Sequence, residues 1–254
     1  MLKKININNK DLEILYNIKF KNSQESNTYF ALYKNENKVI KLFKEDTNME
    51  NKIKKIILLK QRLKKINFVV TADAFITEND KIIGYMMPYI DGENVYTEKT
   101  LSKKEYIDYL KTMSKQLKQL HKLNIVLADF HSNTIIDNNN NLYFIDHDNF
   151  AIDNLPVDLK NFYLHQYEKD IKKFDKNFDY YLLNIYTISL FKKIHTPYIY
   201  YSYNTNPRNF DFKDKEIFDI FNNTMHLNKY YNEELIIDKI KNEKDLKKLR
   251  TRIF

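Results

Sequence analysis

Cysteine is absent from the chain, which excludes a disulfide framework, a thiolate metal site and a cysteine nucleophile. Glycine is nearly absent as well: two among 254 residues, beside an abundance of Lys, Asn, Ile and Tyr. That bias looks like coding rich in A and T, so composition alone says little about function. Long apolar runs are also missing. The longest, IIGYMMPYI at 82–90, is far too short to cross a bilayer, and the first residues, MLKKININNKDLE, are polar. The expectation is a soluble, cytoplasmic protein with no membrane partner.

What is present suffices for a fold. With 43% hydrophobic and 15% aromatic residues, a chain of 254 residues can bury a substantial core, as one large domain or two packed lobes. The formal charge of +8 raises the question of nucleic acid, with lysines clustered at 51–65 and 241–254. Both runs carry apolar residues at helical spacing, Ile53, Ile56, Ile57 and Leu63 among them, which assigns the lysines to the solvated side of ordinary helices. No arginine–glycine tract, zinc spacing or nucleic-acid module accompanies the charge, which argues against a nucleic-acid partner.

Two regions of different character follow one another. Alternation at Ile14, Tyr16, Ile18 and Phe20, then TYFALY (28–33) and KVIKLF (38–43), predicts strands. A helix is expected at about 48–65, then strands at FVVTADAFI (68–76) and in 82–90. After Gly92 the pattern turns helical. Residues 102–124 carry Tyr106, Leu110, Met113, Leu117 and Leu120 on one face, with Ser102 and Glu105 as a capping box. Two short strands, TIID (134–137) and LYFID (142–146), are joined by Asn138 to Asn141, and a further helix is expected at 179–191. The fold class implied is α+β: an antiparallel five-stranded sheet with one helix over 1–90, then a mainly helical part over 91–254.

The stretch VLADFHSNTIIDNNNNLYFIDHDNF (126–150) concentrates polar groups at two stations, each after a run of apolar residues. Asp129 follows IVLA, Asn133 comes four residues on, and Asp146 ends the strand LYFI. A hairpin would bring Asn133 and Asp146 to the same end, where an amide oxygen and a carboxylate are hard ligands suited to Mg²⁺. Asp129 would then be free to accept a proton or orient a hydroxyl. Such a site moves a phosphoryl group by positioning and charge neutralisation. His131 and His147 are read as polar-loop histidines, neutral imidazole being a poor Mg²⁺ ligand, and His121 as structural.

Here the chain resembles the protein kinase superfamily in its divergent bacterial branch. LHKLNIVLADFHSNTIID is similar to the catalytic-loop pattern, and LYFIDHDNF to the strand and metal-binding turn after it. KVIKLFK resembles the strand bearing a phosphate-binding lysine, which would be Lys41, and MENKIKKI the start of the helix supplying its ion-pair partner, which would be Glu50. IIGYMMPYIDG resembles the last strand entering an interlobe hinge, and FDYYLLNIYTISLF the helix whose first-turn Asp179 braces the catalytic loop. The resemblance covers about 12–195. It implies a bilobal kinase-like fold with ATP and Mg²⁺ as cofactors and a protein or small-molecule hydroxyl acceptor as partner. Lys41 would contact the α- and β-phosphates, Glu50 would hold it, and Asn133 and Asp146 would bind the metal. Asp129 would deprotonate the acceptor, and the adenine edge would meet backbone groups of Pro88 and Ile90, with Met87 as pocket wall. A serine/threonine protein kinase is the first choice of activity; a small-molecule kinase of the aminoglycoside or choline type is the close rival.

The departures leave alternatives open. FKNSQESNTYF (20–30) lacks the glycines that let backbone close over phosphates, although amides from Ser23 and Gln24 onward can still cradle one. Asp129 and Asn133 stand four apart where five is usual, so Thr134 competes with Asn133, and Asp148 with Asp146, for the metal. Leu127 and Ala128 replace the usual histidine and arginine before the aspartate. A pseudokinase that binds without turnover is one rival reading. A metal-dependent phosphohydrolase built on Asp129, His131, Asp146, His147 and Asp148 is another, but it leaves Lys41 without a role.

Overall fold

The computed structural model describes residues 2–22, 25–45, 48–94, 101–128, 133–156, 175–189, 211–212, 214–225, 234–241, 244–245 and 251–252. The chain divides into two compact units, Met1–Gly92 with Asp137–Asn149, and Glu93–Ile136 with Phe150–Phe254. Against the division expected after residue 90, the first unit runs to Gly92 and Asp137–Asn149 groups with it. The architecture is mixed α+β.

The first unit is built on β1 (Lys3–Asn6), β2 (Leu12–Asn22), β3 (Ser26–Tyr33), β4 (Glu36–Phe43), β5 (Ala74–Glu78) and β6 (Lys81–Pro88). They form one sheet in the order β1-β5-β6-β4-β3-β2. Six strands replace the five expected, and the sheet is mixed, because the polar N-terminal Lys3–Asn6 pairs in parallel with β5. Only Ile5 of that strand is buried, so the short charged segment carries almost no strand periodicity. The expected strand at 68–76 begins only at Ala74; its first half instead exchanges hydrogen bonds with β10 (Leu142–Phe144), Val70 N to Phe144 O at 2.9 Å and Phe144 N to Phe68 O at 2.8 Å.

Turn chemistry replaces the missing glycines. The β3–β4 and β5–β6 hairpins turn on Lys34–Asn35 and Asn79–Asp80, with φ of 52° and 64°, and of 47° and 62°. Two successive positive values match the right-handed strand twist, and Asn and Asp tolerate them best after glycine. Gly84 is the exception where no side chain fits: a Cβ there would run into the carbonyl oxygen of Lys41 on the neighbouring strand.

Alternation along the central strands sorts two clusters onto opposite faces. Ala31, Ile40, Ala74, Ile76 and Met86 pack on one. Val39, Phe75, Tyr85 and Met87 pack on the other, with Ile56 of α1 (Met49–Arg62), Val70 and Ala72. The second face carries Lys41 as well, since it stands opposite Tyr85 in the β4–β6 register.

In the second unit, α2 (Lys103–Lys122) starts with the expected box, Ser102 Oγ accepting from Glu105 N and Glu105 Oε2 from Ser102 N. It buries Leu110, Met113, Leu117 and Leu120 completely. β8 (Ile125–Val126) pairs antiparallel with β11 (Ala151–Ile152), and α3 (Lys176–Ser189) and α4 (Lys215–Met225) complete the described α-helices. The Asn184 side chain of α3 accepts from Ile236 N at 2.8 Å. Among the described residues, no helix is long and apolar enough to cross a membrane.

Candidate functional site

One feature of the first unit runs against ordinary burial: five charged groups meet beside the sheet. Lys41, 5% exposed, projects from β4 toward the turn His147–Asn149 that follows β10. Its ammonium pairs with Asp146 Oδ1 and with Asp148 Oδ1, the latter at 2.8 Å. Burial disfavours the charge, yet the carboxylates of Asp146 and Asp148 outweigh it and hold Lys41 above the ordinary lysine value. Asp148 is fully buried, and accepts in addition from Lys52 at 2.9 Å and from the Tyr85 hydroxyl at 2.7 Å. Burial alone would raise its pKa; Lys41 and Lys52 together hold it well below the usual carboxylate range. The Tyr85 hydroxyl is pushed well above its ordinary value, by burial first and then by Asp148 and Asp146.

Lys52 completes the cluster from α1. It is 1% exposed and meets Glu25 at 2.9 Å, Asp148 at 2.9 Å and Asn149 Oδ1 at 2.9 Å. The assignment of this helix's lysines to a solvated face is therefore corrected for Lys52 and Lys55, both buried with Ile56 and Leu59. The spacing 52, 55, 56, 59 is itself a helical stripe, visible once lysine is admitted to the buried face.

The pairing of Lys41 with Glu50 is overturned. Glu50 lies in the first turn of α1 with its side chain 78% exposed, and pairs with Lys54 one turn on at 2.6 Å. A carboxylate two residues before Lys52 points about 200° around the helix from it, away from the sheet. The acid that holds Lys41 comes from the 146–149 turn. His147 also departs from its reading as a polar-loop histidine, being fully buried against Tyr85 with ring centroids 5.2 Å apart. Burial depresses its pKa to about 4; Asp148 opposes this, and Lys41 and Lys60 reinforce it.

Mg²⁺ takes hard oxygen donors and commonly uses one or two carboxylates, completing its shell with water and substrate phosphate. Asp146 fits that demand: its side chain keeps 19% exposure, and it sits at φ 65°, a left-handed conformation that turns the carboxylate out of the strand line. Asp148 does not fit, because both its oxygens are already held by ammonium groups. Among the described residues no group of three or more His, Asp or Glu side chains that could hold a metal ion collects.

The remaining expected residues are distributed as follows. Met87 is buried on the Lys41 face, Pro88 ends β6 opposite Lys38, and Tyr89 N donates to Asn37 O at 3.4 Å, which fixes the backbone leading to Ile90. Asn133 and Thr134 are buried in the second unit, at the start of β9 (Thr134–Asp137). Ser23, Gln24, Asp129 and His131 lie outside the described residues. The segment leading to Asp129 is braced by Asp179 of α3, whose carboxylate accepts from Leu127 N at 3.0 Å and Ala128 N at 2.7 Å. His121 Nε2 lies 2.8 Å from the same carboxylate, so its structural reading has a definite partner. Ala128 is held at φ 59° by these bonds, a conformation that an alanine adopts at a cost. A scan against protein-family models finds no match, and a search of curated proteins finds none either.

Proposed function

We propose that the protein is an ATP- and Mg²⁺-dependent phosphotransferase acting on a hydroxyl acceptor, a protein serine or threonine first and a small-molecule alcohol as the alternative. The observation that carries the reading is the buried Lys41 of β4 set against Asp146 at the end of β10, within one unit. A lysine that keeps its charge in a dry setting, beside an acid that keeps partial exposure, can bind polyphosphate and its counterion together.

In this reading Lys41 contacts phosphate oxygens, and Asp146 would hold Mg²⁺ together with water and the nucleotide's own phosphate oxygens. The metal's contribution is to neutralise charge on the transferring phosphoryl group. Backbone groups of Pro88 and Ile90 would orient the base, and Asp129 would accept the acceptor's proton, for a rate contribution of about 10²- to 10⁴-fold. Asp179 positions the backbone before Asp129 through the Leu127 and Ala128 amides.

A second reading, a nucleotide-binding module without turnover, is favoured by one observation: every carboxylate of the cluster is engaged by an ammonium group. Incubation with Mg²⁺ and γ-labelled ATP, beside Lys41→Ala and Asp146→Ala, separates the two. Label transfer or phosphate release lost in both variants supports the phosphotransferase. Mg·ATP binding with no turnover, across generic protein substrates, supports the module.

A further inference from the structure

The two buried lysines differ in how their protons are used. An ammonium group has three N–H donors. Those of Lys52 meet three oxygens, on Glu25, Asp148 and Asn149, each at 2.9 Å. Lys41 meets two among the described residues, on Asp146 and Asp148. Lys52 thus has no donor to offer a ligand, whereas among the described residues Lys41 meets one oxygen fewer than it has donors.

The residues Lys52 joins lie on both sides of Lys41. Glu25 immediately precedes β3, and its carbonyl accepts from Lys44 N at 2.9 Å at the far end of β4. β3 then runs beside β4 with Ser26 opposite Phe43 and Thr28 opposite Lys41. On the other side, Asp148 and Asn149 belong to the turn that carries Asp146, and Asn149 Nδ2 donates to Asp146 Oδ2 at 3.0 Å. One side chain from α1 therefore ties the backbone entering β3 to the turn bearing the candidate metal ligand, and Lys41 emerges between them.

We infer that Lys52 is a positioning residue for a polyphosphate-binding site. Saturated by Glu25, Asp148 and Asn149, it fixes the spacing of the two backbone segments flanking Lys41 and leaves Lys41 as the ammonium that meets phosphate. The inference rests on the phosphotransferase or nucleotide-binding reading above. It adds a specific link: helix α1 contributes a cation to the site, and the acid at the far end of that link is Glu25.

The test is calorimetric binding of Mg·ATP and of sodium tripolyphosphate to the full chain, wild type and variants, with melting curves recorded for each. Glu25→Gln, which keeps the side chain's shape and leaves Lys52 its contacts with Asp148 and Asn149, is expected to lower the melting midpoint yet remain folded at the assay temperature, and to weaken both ligands about tenfold, because misplacement of a binding group is felt steeply. Lys52→Met should weaken them at least as much, Lys52→Arg should recover part of the loss, and adding Glu25→Gln to Lys52→Met should cost nothing more. If Lys52→Met fails to fold, Glu25→Gln alone decides. A folded Glu25→Gln protein that binds both ligands like the wild type overturns the inference while leaving the phosphate site intact. A wild-type protein that binds neither ligand overturns the site and the inference together.

Discussion

Replacing Asp148 with asparagine removes the one charge that both buried lysines share. Asp148 accepts from Lys41 at 2.8 Å, Lys52 at 2.9 Å and the Tyr85 hydroxyl at 2.7 Å, with no exposure to water. Removing one member of a buried pair costs about 3–5 kcal/mol, since the partner stays desolvated and uncompensated. Lys41 keeps Asp146, and Lys52 keeps Glu25 and Asn149, which places the expected loss at the lower end, about 3 kcal/mol. Against a typical total of about 5–15 kcal/mol, that is a large share. Urea unfolding followed by circular dichroism should show a lower midpoint at unchanged slope. Combining Asp148→Asn with Lys52→Met restores the charge balance, and the double variant should lose less than the sum of the two by about 0.5–3 kcal/mol. Glu50→Gln, at an exposed position, should leave the midpoint where it is. A loss below about 1 kcal/mol for Asp148→Asn would refute the reasoning, because charges so described cannot be that cheap to unbalance. The pH dependence has a defined sign. A carboxyl held below its unfolded value contributes stability above that value and loses it as pH falls through the folded one. Asp148 thus supports the fold down to pH below 3.8, and Asp148→Asn should abolish that acid-side contribution.

Three further outcomes are expected. His147 titrates at about 4 in the fold against 6.5 unfolded, so the unfolded chain binds the extra proton; stability should fall by about 2 kcal/mol between pH 7.5 and 5, and His147→Phe should flatten that part of the profile in urea titrations at each pH. Gly84→Ala drives a methyl group into the Lys41 carbonyl; it should lower stability by about 1–3 kcal/mol and disturb the β4–β6 pairing, as amide exchange at Lys41 and Leu42 will report. Ala128→Gly relieves a positive φ and should raise the melting midpoint through a gain of up to about 1 kcal/mol, unlike Ala128→Val, which should lower it.

The sequence made some of this legible and hid the rest for physical reasons. Strands β2, β3, β4 and β6 and the stripe of α2 with its capping box all follow from periodicity or local chemistry that a linear reading carries, whereas the Asp179 brace was implied only by the resemblance. Lys41 stood out because Val39 and Phe43 flank it at strand spacing. The partner of Lys41 was not legible, since an ion pair between residues 105 positions apart in the chain has no local signature. Glu50 was favoured for lying in the right helix, but side-chain direction decides the matter: position 50 faces solvent, and position 52, two residues on, faces the sheet. Lys52 was missed because a lysine-rich stretch reads as a solvated face. The buried stripe holds two of those lysines, and the acids that make their burial tolerable lie elsewhere in sequence.

Glycine scarcity needs the most careful weighing, because it was the strongest sequence-level argument against phosphate binding. Nine non-glycine residues among those described have positive φ, and seven of them are Asn or Asp. A chain so rich in asparagine meets left-handed turns with residues whose short polar side chains tolerate them. Scarcity of glycine in this chain therefore does not by itself exclude tight left-handed turns. The two exceptions are more informative. Lys34 sits in an exposed hairpin turn, where a tight two-residue connection demands the conformation. Ala128 has no such excuse: it bears no polar side chain, is fully buried, and is held at φ 59° by the Asp179 carboxylate directly before Asp129. Strain kept at a buried alanine by a buried acid points to a backbone path at Leu127–Ala128 that matters more than its local cost.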